Sequence, residues 1–180
     1  MRRLVLSGVL GLVAACGSSG SSSGTIDGFF PADNEVSGWT LSGAGGVEVC
    51  DGATAENCTL NLVDGDAQPF IDVGMKAFGR ATYAKGATGL QLRIYEMTDA
   101  TTCSALYDDI VVEDALYATY TWETIPLGEG GRIADRTDRW WINTISGPYF
   151  VEALVDEATA ADPAARADGL AFVTAVVAGM

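Results

Sequence analysis

The chain has 180 residues, of which 24 are acidic and ten basic, giving a formal net charge of −14, and it contains no histidine. So acidic a surface repels nucleic acid and anionic headgroups, so no nucleic-acid partner is expected. The missing histidine removes Ser-His-Asp and Cys-His arrangements, histidine general bases and the commonest zinc ligand, and leaves carboxylate, lysine or tyrosine chemistry.

The chain opens with Arg2 and Arg3 and an apolar run over 4–13, followed by Leu12-Val13-Ala14-Ala15-Cys16. A mainly apolar run of ten residues is too short to span a bilayer, which takes about 20, and the order basic, apolar, small is that of a processed export segment. The tract Gly17-Ser18-Ser19-Gly20-Ser21-Ser22-Ser23-Gly24 then reads as a tether, with a reach of roughly 16 Å. Leu12 to Cys16 resembles the lipobox of bacterial lipoproteins. The resemblance implies a signal peptide over 1–15 and a lipidated Cys16 opening a tether over 16–24; the residues that remain are the size of one ordinary domain, over 25–180. It also implies an anchor at the membrane through acyl chains on Cys16. With Gly17 rather than an aspartate after the cysteine, the resemblance places the protein at the outer membrane, facing the periplasm or the cell surface.

Short strands are expected at Gly38-Trp39-Thr40-Leu41 and Val47-Glu48-Val49. Cys50 and Cys58 flank a polar, turn-like loop, and a disulfide between them would stabilise by roughly 2.5 kcal/mol. Setting Cys16 aside leaves three cysteines, so one is free or pairs between chains. Pro69 suits a first helical position, and Phe70, Val73 and Ala77 would then share one helix face. Segments 78–84 and 90–97 read as a hairpin with a five-residue loop. In its second arm Leu90, Leu92 and Ile94 alternate with polar neighbours, the pattern of a strand with one buried face.

Asp99 can cap a helix on which Ala100, Cys103, Leu106, Tyr107 and Ile110 recur at helical spacing, which makes Cys103 a buried, inert thiol. Segments 117–125, 132–135, 139–145 and 149–155 are strand-like, with connections short enough to make antiparallel neighbours. Asp162-Pro163 pairs an N-cap with a first-turn proline and opens a helix to Val177, docked through Leu170, Val173 and Val177.

The order of Phe30-Pro31, Gly38-Trp39, Val63-Asp64-Gly65-Asp66-Ala67-Gln68, Gly74, Tyr83, Ile94-Tyr95-Glu96-Met97 and Ala105-Leu106-Tyr107 resembles the bacterial domain-of-unknown-function family 6599. Gln68 stands where that family usually has an acid. The resemblance implies an α+β fold, a curved antiparallel sheet with two or three packed helices, analogous to the PsbP/Mog1 class, and it implies no reaction.

Asp64, Asp66 and Asp72 could bind calcium through carboxylate oxygens, but a capping and turn role explains Asp64-Gly65-Asp66 more simply, and no metal or cofactor is expected. Asp108, Asp109, Glu113 and Asp114 read as a solvated helix end. Trp122, Trp140, Trp141 and Tyr149 could line a ligand groove, and Trp140, Trp141 and Tyr149 are taken as the ligand-binding candidates. Trp140 and Trp141 must face opposite sides of a sheet. The expectation is a lipid-anchored envelope protein that binds or scaffolds and is not an enzyme. A carboxylate-dependent envelope hydrolase and a purely structural component are the alternatives.

Overall fold

The computed structural model describes residues 26–63, 66–156 and 162–180. Cys16, the signal segment, the tether and Asp64 lie outside the described residues. Eight strands, β1 (Thr40–Leu41), β2 (Glu48–Cys50), β3 (Met75–Lys85), β4 (Thr88–Met97), β5 (Glu123–Ile125), β6 (Gly130–Asp135), β7 (Arg139–Ser146) and β8 (Tyr149–Asp156), form one open antiparallel sheet. Its order is β1-β3-β4-β8-β7-β6-β5, and β2 pairs with the same edge of β3 as β1 does. With helices α1 (Ala55–Val63), α2 (Gln68–Asp72), α3 (Ala100–Glu113) and α4 (Pro163–Ala178) packed against it, the fold is α+β as expected, with four helices among the described residues rather than two or three.

Helices cover both faces of the sheet, so strands β3, β4, β7 and β8 are buried on two sides. On one face α4 lies over β7 and β8, docked through Ala165, Gly169, Phe172, Val173 and Val176, with Leu170 and Val177 at the margin of the contact. Phe172 meets Trp39 and Tyr83 there. α4 begins where expected because the Asp162 carboxylate accepts from the Ala164 amide at 2.8 Å, and Pro163 has no amide hydrogen to leave unpaired. On the other face lie α1, α2 and α3, over a core in which the Phe70 ring stacks on Tyr95 at 3.7 Å and meets the edge of Phe150. Asp99 caps α3 by accepting from the Thr102 amide, as the sequence indicates.

Several local expectations are corrected. The helix starting near Pro69 stops at Asp72: Gly74 takes φ 97°, a left-handed conformation that ends it, and β3 begins at Met75. Ala77 is therefore a strand residue, and Val73 is 41% exposed. The loop after Cys50 is mostly helix. α1 is rich in Asn and Thr, which have little intrinsic helix preference, but it is tied to β2 by the Cys50–Cys58 disulfide and seats Val63 in the core. The β3–β4 connection is only Gly86-Ala87, with Gly86 at φ 63° as a two-residue hairpin of type II′ favours. Within 117–125 only Glu123–Ile125 is strand, preceded by a tight turn over Tyr117–Thr119. The β4 face opposite Leu90, Leu92 and Ile94 is buried as well, because α2 and α3 cover it.

Candidate functional site

The face under α1, α2 and α3 carries a row of polar side chains across the sheet. Cross-strand registers place Glu48 opposite Arg80, Arg80 opposite Arg93, Arg93 opposite Glu152, Glu152 opposite Asn143, Asn143 opposite Arg132 and Arg132 opposite Thr124. Residues directly opposite on antiparallel strands share a face, so these seven form one continuous line, flanked on one side by Phe78, Tyr95, Phe150 and Ile145 and on the other by Thr82, Gln91, Leu154 and Trp141. Glu152 is its hub at 1% exposure. One carboxylate oxygen accepts from the Tyr117 hydroxyl at 2.9 Å and from the Trp141 indole, and the other accepts from Arg93 at 3.1 Å. Buried carboxylates are tolerated when charge and lone pairs are both matched, and here a guanidinium and two neutral donors do this.

The hub shapes its neighbours' protonation. Burial and then the negative Glu152 push the Tyr117 and Tyr95 hydroxyls well above the usual phenol range. Burial opposes the charge on Arg93, but Glu152, Tyr95 and Asp66 together outweigh it and hold the guanidinium protonated. Arg132 has no carboxylate partner among the described residues and its pKa is lowered, mainly by burial. Its guanidinium lies 3.9 Å from the Tyr107 ring centre and 5.1 Å from that of Trp122, and it donates to the Tyr107 carbonyl. Within the described residues, Nε and Nη2 of Arg132, both amide atoms of Asn143 and the Tyr95 hydroxyl have no hydrogen-bond partner.

A groove of about 730 Å³ opens above this layer, between α2 and α3. Pro69, Val73, Ala105, Leu106, Ile110 and Leu116 give it apolar walls, while Asp66, Asp72, Asp109, Glu113 and Asp114 line it with carboxylates. Two of its lining residues reach the buried row: Asp66 lies 3.6 Å from the Arg93 guanidinium, and Tyr117 donates to Glu152. Burial raises the Asp66 pKa, opposed by Arg93 and reinforced by Glu152. The volume falls in the range of small-molecule sites, about 300–1,000 Å³.

The ligand-binding candidates from sequence are not brought together. Trp141 is 2% exposed, with its indole nitrogen committed to Glu152. Trp140 is on the opposite face, where its indole donates to the Asp162 carbonyl at the start of α4. Tyr149 sits half-buried against the Phe29 ring. Trp122 stacks on Tyr117 beside Trp141, so the aromatics form core clusters rather than an open groove. Of the acidic residues read as a solvated helix end, Asp109, Glu113 and Asp114 line the groove and Asp108 does not. Asp66 and Asp72 also line it, and Asp72 accepts from the Gln68 side chain at 2.7 Å. No group of three or more carboxylates and cysteines among the described residues is arranged to hold a metal ion. The Cys50–Cys58 disulfide is present, with Cα atoms 5.6 Å apart, and Cys103 is a buried free thiol.

The groove was legible only in part. Asp109 and Glu113 stand four apart on α3, with Leu106 and Ile110 beside them, which is the spacing of one helix face. The opposing wall is formed by α2 and the residues just after it, and nothing in the local sequence says that they stop short of covering α3. No known protein-family profile matches the chain, and no curated protein is significantly similar to it. Among the described residues no helix is long and apolar enough to cross a membrane.

Proposed function

We propose that this protein is a non-catalytic binding module of the bacterial cell envelope, held at the outer membrane by acyl chains on Cys16, with the α2–α3 groove as its binding site. The observation that carries the binding part is the groove, an open volume of about 730 Å³ with apolar walls on a domain whose sheet faces are otherwise filled by helices. The anchor rests on the lipobox-like Leu12-Val13-Ala14-Ala15-Cys16 and the Gly/Ser tract behind it.

The rival reading, a carboxylate-dependent hydrolase, needs two carboxyl groups facing one substrate, with one as acid and one as base or nucleophile. Asp66 has the raised pKa of an acid, and Glu152, which shares Arg93 with it, is closed off by its three donors, so a second carboxyl group would have to come from Asp72, Asp109, Glu113 or Asp114.

Amide chemical-shift mapping on the unlipidated mature chain (Cys16→Ser) tests the binding part, using the low-molecular-mass fraction of an envelope extract. The expected shifts cluster at Thr101, Ala105 and Val73, and they vanish in Ala105→Trp, where an exposed wall residue is enlarged to fill the groove. Shifts confined to other surfaces, or shifts unchanged in a folded Ala105→Trp protein, would overturn the assignment.

A further inference from the structure

We infer that the ligand of the α2–α3 groove is a small organic cation with an apolar body, such as an arylalkyl amine; the inference rests on reading that groove as the binding site. Five carboxylates line the groove and no lysine or arginine does. Elsewhere four cations are paired with acids: Arg80 with Glu48, Lys85 with Asp168, Arg166 with Glu123, and Arg139 with Asp138 and Asp156, while Arg132 and Arg136 lie over aromatic rings and Lys76 donates to the Thr98 carbonyl. In the groove only Asp66 has a cationic neighbour, Arg93 at 3.6 Å, and Arg93 is closer to Glu152. Asp72, Asp109, Glu113 and Asp114 take part in no ion pair among the described residues.

Charge of one sign gathered in a concave site with low-dielectric walls focuses the field and concentrates ions of the opposite sign. The apolar walls decide what else such an ion carries. Leu106, Ile110 and Val73 offer hydrocarbon contact beside the carboxylates, so an ammonium on an apolar stem would gain from both. A bare metal ion would gain only from the carboxylates, and the described residues show no three-carboxylate cluster to hold one. A fatty acid would gain only from the walls and would be repelled by the rim.

The probes are 4-phenylbutylamine and 4-phenylbutyrate, which match in shape and differ in charge, titrated into the unlipidated mature chain and followed by amide shifts and calorimetry. The amine should bind with shifts at Ala105 and Val73, and the carboxylate should not. Asp109→Asn/Glu113→Gln should weaken the amine at least tenfold while leaving the amide spectrum folded. The remote pair Asp51→Asn/Glu56→Gln, which removes the same charge away from the groove, should not weaken it.

Equal binding of both probes would overturn the cation assignment and leave the groove as an apolar binding site. Equal weakening by the remote pair would overturn it too, since net charge rather than the groove would then attract the amine. If neither probe binds, the cation assignment fails, while the extract mapping still decides separately whether the groove binds anything.

Discussion

Glu152 is the residue on which the buried polar row depends, and the effect of changing it follows from what it would leave behind. Glu152→Ala leaves Arg93, at 12% side-chain exposure, with only the more exposed Asp66 as a carboxylate neighbour, and it frees the Tyr117 hydroxyl and the Trp141 indole. Breaking a buried pair on one side costs about 3–5 kcal/mol, whereas replacing both partners by apolar groups is often close to neutral. Urea unfolding should therefore show a large loss for Glu152→Ala and a smaller one for Arg93→Met/Glu152→Leu, which removes the guanidinium but still leaves the Tyr117 hydroxyl and the Trp141 indole without their acceptor. Similar losses in both would mean that the row is not coupled through this pair. Asp66 behaves oppositely to most surface acids, because burial raises its folded pKa above the ordinary 3.8. Between the unfolded and folded values the native state holds more protons than the unfolded state, so this group's contribution to stability falls as pH rises through that window. The stability of Asp66→Asn relative to wild type should rise across the same window and be flat above it; a relative stability that falls there would reverse the assignment. Burial also pushes the Cys103 thiol up to about 12, so it should alkylate only after unfolding.

At the scale of elements, helix α4 has a glycine in its interior that propensity alone cannot explain. Gly→Ala in a helix interior gains about 1 kcal/mol, yet a Cβ at Gly169 would lie 2.5 Å from Val155 Cγ2 and 3.0 Å from Ile142 Cδ1. Glycine is required because the helix backbone rests directly on β7 and β8. Gly169→Ala should lower stability by about 1–3 kcal/mol, the usual range for overpacking, as measured by thermal or urea unfolding; a stabilised variant would mean that α4 sits farther from the sheet. The elements easiest to read in the sequence were those with capping chemistry and clear periodicity. α3 and α4 start at Asp99 and Asp162 as expected, and β7 and β8 fall within a residue of the strand-like segments 139–145 and 149–155, although burial on both faces leaves them no alternation. α1 was missed because its stability comes from a disulfide and from packing rather than from its own residues, and α2 was overextended because the apolar spacing of Phe70, Val73 and Ala77 runs across Gly74 into a strand. The polar row was invisible for a different reason: its members are spread over seven strands and meet only through register.

For the whole molecule, the acidic composition and the proposed tether and anchor belong to one account. A chain with net charge −14 gains nothing from anionic headgroups, so attachment to a membrane would rest on acyl chains, each buried methylene contributing about 0.8 kcal/mol. The disulfide between Cys50 and Cys58 suits the oxidising compartment outside the inner membrane, and its loss in Cys58→Ser should lower stability by about 2.5 kcal/mol in the loop-entropy account. The most direct measurement of the central claim, a binding domain held at the envelope by its lipidated cysteine, is metabolic palmitate labelling with membrane fractionation of wild type and Cys16→Ser. Wild type should incorporate label and sediment with outer membranes, and Cys16→Ser should be unlabelled and either soluble or left as unprocessed precursor. An unlabelled wild type, or identical fractionation of the two as processed chains, would contradict it.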